Sequence, residues 1–415
     1  MTRAVAEPDP GRIVEGAEPR GDPLGWFLVL YFLLNFGQGV FPPVLPQVMD
    51  SLGLSFSSAG LLGMAFGLAR FVVDLPAGIL IERLGVVKVL HAAVGFLLLG
   101  TALSAWAASL PAMLLARGLV GIGSGMSIVV SILYLMRRGS PGQRSRRGNI
   151  YEIAVIGGTA ASAALGGAIA ARLGWRWSFA MAGLVITLGW LIVTIRVLPG
   201  VREALQPEGS LAPPHPQRRP LTSWEMILPV YLATFSLAVG WAGGISTFLP
   251  LYGGRGLGLT PEILGRTMAI AYGIEVCLLV PIGWLSDVLG RVRVMVPGLL
   301  VMLAGMLVVP NTQNVPTYTL ACSLVVTGMT VWMNPPALLA ERLPNGFRGK
   351  AAGLYRFVAD LGYILSPLAI GWSIEFGGFR STALWLAGIT LAAVLSNCWW
   401  PSHGPMASGT SQCRQ

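Results

Sequence analysis

The chain has 415 residues, 54% hydrophobic and only 11% charged, with a mean hydropathy of +0.69 and a formal net charge of +10. A soluble domain carries about 25% charged residues, so this chain lacks the polar groups to coat a water-facing surface. Disorder and collagen-like repeats are excluded by the apolar content, and a disulfide scaffold by four Cys in the whole chain. A multi-pass membrane protein remains. Its 54 glycines fit that class, because small residues let membrane helices approach closely where lipid gives no hydrophobic drive for association.

Residues 1–23 hold no apolar run and read as a cytoplasmic tail. A bilayer core needs about 20 apolar residues per helix. Segments of that kind fall at roughly 24–47, 59–80, 88–108, 111–136, 148–172 and 177–198, then at 226–250, 263–284, 294–310, 316–340, 351–374 and 380–400. The expected fold is therefore all-α, with twelve transmembrane helices in two six-helix bundles, 24–198 and 226–400. A Pro-, Arg- and Ser-rich segment, 199–225, reads as the cytoplasmic linker between them, and 401–415 as a second cytoplasmic tail.

Orientation follows from Lys and Arg in the loops. With both termini inside, twenty of the 28 basic residues fall on the cytoplasmic side, five on the other and three, Arg70, Arg117 and Arg356, within spans. The asymmetry accounts for the positive charge without nucleic acid, which is not an expected partner. The basic stretch 137–147 has no interleaved aromatics and sits at a membrane exit. Cys277, Cys322, Cys398 and Cys413 form no CxxC pair, and His91, His215 and His403 are scattered, so neither metal nor other cofactor is expected.

The halves repeat at an offset of 205. Leu52-Gly53-Leu54-Ser55 recurs as Leu257-Gly258-Leu259-Thr260, Pro76 as Pro281, Gly78 as Gly283, Gly85 as Gly290 and Gly123 as Gly328. Each half carries one loop in which an acid follows a Gly by four residues, ahead of a second Gly and basic groups. The first has Gly78, Glu82, Arg83, Gly85 and Lys88; the second has Gly283, Asp287, Gly290, Arg291 and Arg293. Glycine permits a tight turn, the acid suits the positive end of a neighbouring helix, and the bases hold the turn at the cytoplasmic face. Glu82 and Asp287 are expected at the N-termini of the eleventh and fifth helices, near Ala352 and Gly148, as gate elements.

These loops resemble the signature loop of the major facilitator superfamily, with Glu82 where Asp is usual, and the resemblance covers nearly the whole chain. Arg117, Gly121, Gly123 and Gly125 are similar to the fourth-helix motif of many proton-coupled members, and Trp175-Arg176-Trp177-Ser178-Phe179 is a further familiar feature. The resemblance implies two bundles about a central cavity, working by alternating access. The run Ser162-Ala163-Ala164-Leu165-Gly166-Gly167 keeps the final Gly pair of the exporter-type fifth helix but lacks its Gly-Pro.

Ionisable groups inside a membrane are costly and mark function. Arg70 and Asp74 stand at i, i+4, as do Arg356 and Asp360. The plain reading is two self-neutralised pairs. By depth along the helices, Asp74–Arg356 and Arg70–Asp360 also match, and because the second and eleventh helices face each other in the resembled family, those pairs suit a latch that holds the cytoplasmic side shut. Glu275 has no neighbouring cation in its own helix, and a buried lone carboxylate favours reversible protonation. Glu275, Asp74 and Asp360 are thus the proton-coupling candidates, the alternative for Glu275 being a hydrogen bond to a residue such as Asn334. Arg117 reads either as a clamp onto backbone carbonyls or as the partner of a proton carrier or anionic substrate. Glu152 reads as a helix-start charge. The remaining cavity candidates are Tyr31, Asn35, Gln38, Trp241, Tyr272, Asn334 and Tyr355, with Arg70, Arg117 and Arg356 among them. Trp399 and Trp400 read as interface anchors.

The expected protein is a monomeric secondary transporter in the cell membrane, with protons, lipid and a small organic solute as partners. Efflux of an amphipathic compound is favoured over uptake of a polar or anionic metabolite, and both over a non-transporting sensor. No catalytic constellation suggests an enzyme.

Overall fold

A computed structural model describes residues 24–137, 141–192, 194–195, 227–342 and 345–399. Both tails, the linker, Arg138 and Trp400, and the side chains of Arg144 and Lys350, lie outside the described residues. Among those described there is no strand. The spans are α1 (Leu24–Leu52), α2 (Phe56–Leu84), α3 (Val86–Trp106), α4 (Leu110–Arg137), α5 (Pro141–Leu173), α6 (Trp175–Ile192), α7 (Leu228–Gly256), α8 (Pro261–Leu289), α9 (Arg291–Val308) and α10 (Val315–Glu341). The last helical stretch, Asn345–Cys398, breaks at Gly378 (φ 77°) into α11 (345–377) and α12 (379–398), giving twelve crossings.

The repeat is visible in the backbone. Gly53 and Gly258 take φ of 62° and 67°, and Gly85 and Gly290 take 84° and 99°, conformations that side-chain-bearing residues avoid. The residues that open α2 and α8 also correspond: Ser55 accepts a bond from the Ser58 N–H at 3.2 Å, and Thr260 from the Ile263 N–H at 3.4 Å. In both halves one hydroxyl satisfies a donor that the helix start leaves orphaned.

Two antiparallel pairs join the halves. Between α2 and α11, a Cβ at Gly371 would lie 2.3 Å from the Phe56 carbonyl, one at Gly60 2.4 Å from Pro367 O, and one at Gly67 2.6 Å from Tyr363 O. Between α5 and α8, a Cβ at Gly167 would lie 2.3 Å from Pro261 O and one at Gly265 2.2 Å from Ala163 O. Such spacing exists only because these residues are glycine. All but one of these contacts crowd toward the ends of α2 and α8 where the helices begin. That face is called the distal face; the face with the Gly85 and Gly290 turns is the basic face. At the distal face Arg255 pairs with Asp50 at 2.5 Å, and the Ser57 N–H donates to the Glu375 carboxylate at 2.8 Å. Toward the basic face nothing meets Gly78 or Gly353 within 4 Å of a built Cβ. The closest contacts between the halves are thus distal, while α5 and α8 still meet near the basic face, where a Cβ at Gly283 would lie 3.3 Å from Asn149 Nδ2.

The structure departs from expectation in α7. Residues Val239–Phe248 and Tyr252–Gly256 form π-helix. The segment carries Gly240, Gly243, Gly244, Gly253 and Gly254, which lower the cost of a wider turn. The Thr247 hydroxyl bonds to Ala242 O at 2.9 Å, five residues back, and so supports it. π-turns occur mostly at functional positions in helices.

Candidate functional site

The interior cavity has a volume of about 370 Å³ and is walled by α1, α2, α4, α5, α7, α8, α10 and α11; α3, α6, α9 and α12 contribute nothing to the wall. It widens toward the basic face, where Ile132 and Met333 line it and stay 46% and 44% exposed.

On α1, Tyr31, Asn35 and Gln38 face the cavity. The Tyr31 hydroxyl donates to Ser127 O at 2.6 Å, tying α1 to α4, and Asn35 Nδ2 donates to Tyr31 O at 2.7 Å. Their polar atoms are therefore largely spent on structure. Tyr151 sits edge-on to Tyr31, with centroids 5.1 Å apart. Across the cavity Trp241 and Tyr272 approach to 5.9 Å, and Trp332 and Tyr363 to 6.4 Å. The wall is thus aromatic on both sides.

Four sets of charged groups meet there. Arg356 is held on two sides. Its Nε donates to Asp74 on α2 at 2.8 Å and lies 3.2 Å from Asp360, one turn along α11. Arg356 lines the cavity, whereas Asp74 and Asp360 stand behind it, outside the lining. Arg70 does not pair with Asp360; its guanidinium lies over the Tyr363 ring, 4.7 Å from the centroid. The Asp74–Arg356 bond crosses the halves as depth implied. Of the two pairs expected for a latch between the halves, Asp74–Arg356 is formed. The α2–α11 seam is closed at least to this level.

Arg117, 6% exposed, has its guanidinium over the rings of Phe41, 3.9 Å from the centroid, and Phe66, 4.9 Å. Its Nε and Nη1 have no hydrogen-bond partner. The anticipated clamp onto backbone carbonyls is replaced by stacking on two rings, which leaves N–H groups without acceptors. Glu275, 3% exposed, faces the cavity, and its Oε2 has no partner.

Asn334 is not available to Glu275. It accepts from the Ser286 hydroxyl at 2.8 Å and donates to Arg291 O at 3.4 Å, which fixes the basic end of α10 against α8 and α9 and places it outside the cavity. Glu152 is a second correction. The helix begins at Pro141, eleven residues before it, so it is no helix-start charge, and it faces the cavity. Contacts between α5 and α8 run antiparallel from Gly167–Pro261 to Asn149–Gly283. That register sets Glu152 within about one turn of Glu275, roughly 5 Å along the axis. The signal was present in the sequence: Glu152 is the single acid in α5.

Of the gate acids, one is held within its own loop. Asp287 pairs with Arg291 in its own turn at 2.6 Å, and Arg291 with Glu341 of α10 at 3.1 Å. Glu82 has no ion pair among the described residues. Tyr355 and Arg356 line the cavity from α11.

The description "Major Facilitator Superfamily" belongs to the family model that matches residues 27–278 and 257–411. The chain belongs to the major facilitator superfamily. It is therefore a multi-pass membrane transporter and not an enzyme. Among relatives, the inner membrane transport protein YajR of Escherichia coli is 25% identical over 388 residues, 89% of this chain and 78% of that one. The quinolone resistance protein NorA of Staphylococcus aureus is 27% identical over 230 residues, 54% of this chain and 56% of that one. The superfamily fold is shared with the inward-open xylose transporter XylE from E. coli, at a TM-score of 0.69 and 18% identity, covering 94% of this chain and 97% of that chain.

Proposed function

We propose that the chain is a proton-coupled antiporter that exports an amphipathic organic compound, with its basic face in the cytoplasm of a cell envelope membrane. The observation that carries this reading is Glu275, a buried carboxylate at an aromatic-lined cavity with an oxygen that no protein group satisfies. An unpaired carboxylate in a low-dielectric site must take either a proton or a cationic ligand. Competition between the two for one group is antiport. In the basic-face-open state Glu275 releases its proton to the cytoplasm and receives the solute. In the distal-open state it gives up the solute and binds a proton. Glu152, within about a turn, adds a second negative charge and favours holding one proton between the two.

The two bundles, 24–198 and 226–400, are proposed to rock as bodies about the α2–α11 and α5–α8 seams, joined by the linker 199–225, in a monomer with both termini cytoplasmic. The twenty basic residues on one side support that orientation. The drug-resistance name of NorA supports an exported amphipathic solute. Uptake of an anionic metabolite is the second reading, favoured by the unpartnered Arg117.

Everted vesicles holding a preset pH gradient test the proposal. Adding a transported amphipathic amine is expected to dissipate the gradient in the wild type, and Glu275→Gln is expected to abolish that response while solute still exchanges across the membrane. An unchanged proton response in Glu275→Gln overturns the assignment. Solute-driven proton entry in right-side-out vesicles selects the uptake reading.

A further inference from the structure

The charges around the cavity are not interchangeable. Arg356 is hydrogen-bonded to Asp74 and ion-paired with Asp360. Arg70 lies over the Tyr363 ring, and Glu152 stands on α5 within about a turn of Glu275. Two groups of opposite sign at the cavity wall, Arg117 and Glu275, are each more than nine-tenths buried, in no ion pair among the described residues, and each has polar atoms that meet no partner. They do not neutralise each other, because they sit at different levels. Both helices start at the distal face; Arg117 is seven residues into α4 and Glu275 fourteen into α8. At the helical rise the offset is roughly 10 Å along the axis.

A buried, unpaired charge is strongly unfavourable unless something completes it. Here the protein holds two of them, of opposite sign, at different depths of one cavity. We infer that the cavity is built for a zwitterion with an aromatic body: an anionic end on Arg117 toward the distal face and an ammonium on Glu275 deeper in. The inference rests on the cavity being the transport site. Each pole has aromatic flanks. Phe41 and Phe66 hold the Arg117 guanidinium plane, leaving its N–H edge for a planar carboxylate. Trp241 and Tyr272 stand beside Glu275, where an ammonium also meets ring faces. The volume of about 370 Å³ lies in the range of small-ligand pockets. A singly charged solute leaves one pole buried and unpaired. A zwitterion completes both, and only a body long enough to span the offset does so at once.

The test uses purified full-length protein at one neutral pH and three probes of one skeleton. The first is a biphenyl with a carboxylate at one end and an aminomethyl group at the other. The second is its methyl ester, a cation, and the third its N-acetyl derivative, an anion. The zwitterion is expected to bind at least about tenfold more tightly than either. Arg117→Gln should erase its advantage over the ester while keeping that over the N-acetyl probe, and Glu275→Gln should do the reverse. Arg117→Lys keeps the cation and should keep the order of affinities, which separates lost charge from lost packing. Equal affinities, a preference for a singly charged probe, no binding of any probe, or variants that change all three affinities in proportion overturn the inference. The affinity ratio at fixed pH does not depend on proton exchange. Failure here therefore leaves the antiport reading standing, and loss of proton coupling leaves the dipolar site standing.

Discussion

Arg356 is the residue on which the most buried charge depends. It carries Asp74 from the other half and Asp360 from its own helix, and Asp360 is 1% exposed. Removing one partner of a buried pair strands the others, at a cost of about 3–5 kcal/mol. Arg356→Met is therefore expected to lower the thermal unfolding midpoint by several degrees. Adding Asp74→Asn and Asp360→Asn to the same chain should recover most of that loss, because no charge is then left unpaired. Scanning calorimetry of the single and triple variants checks it; a triple variant no better than the single would show that Arg356 acts through packing. At the same scale, the sequence made Glu275, Arg117, Arg70 and Arg356 legible because any charge inside an apolar run stands out. Glu152 was legible as a residue but not as a cavity residue. Its role turned on where α5 begins, and the basic run 141–147 hid the helix start among loop-like residues.

Among elements, the α5–α8 seam depends on glycine. A Cβ at Gly265 would sit 2.2 Å from a backbone carbonyl, which cannot rotate away as a side chain can. Gly265→Val is therefore expected to push α5 and α8 apart distally and shift the protein toward a distal-open state. Gln38→Cys, placed in a chain without its native cysteines, reports the shift: membrane-impermeant thiol labelling from the distal side should rise by about tenfold or more. Unchanged labelling would mean that the seam yields without opening. The spans themselves were readable to within a few residues, since a long apolar run has few alternatives in lipid. The π-turns of α7 were not. Glycines permit such turns, but the choice between i−4 and i−5 bonding is made by the packing around Trp241 and Thr247.

For the molecule as a whole, distal closure has strong and weak parts, and magnitudes rank them. Arg255–Asp50 links the halves, but its side chains are 37% and 63% exposed, so the pair is worth only about 0.2–1 kcal/mol and is screened by salt. Arg255→Gln should raise distal labelling of the same Cys reporter by no more than about fivefold, with high salt producing a similar rise in the wild type. A larger effect than that of Gly265→Val would reverse the ranking. The cavity face of Asn334 failed at this scale too. Its polar side chain suited a lining role, but α10 turns it toward Ser286 and Arg291, where it ties the basic ends of three helices.

The sequence by itself determined the membrane class, the twelve crossings, the repeat and the set of intramembrane charges. These follow from one-dimensional rules: apolar length against bilayer thickness, positional glycine, and the rarity of charge in hydrocarbon. Only the tertiary structure decided which charges neutralise which. Arg356 takes both aspartates, Arg70 turns to a ring, and Arg117 and Glu275 are left facing a common space. Pairing depends on helix rotation and on side-chain reach of a few ångströms across two bundles, and no periodicity within one chain segment encodes the facing of two distant helices.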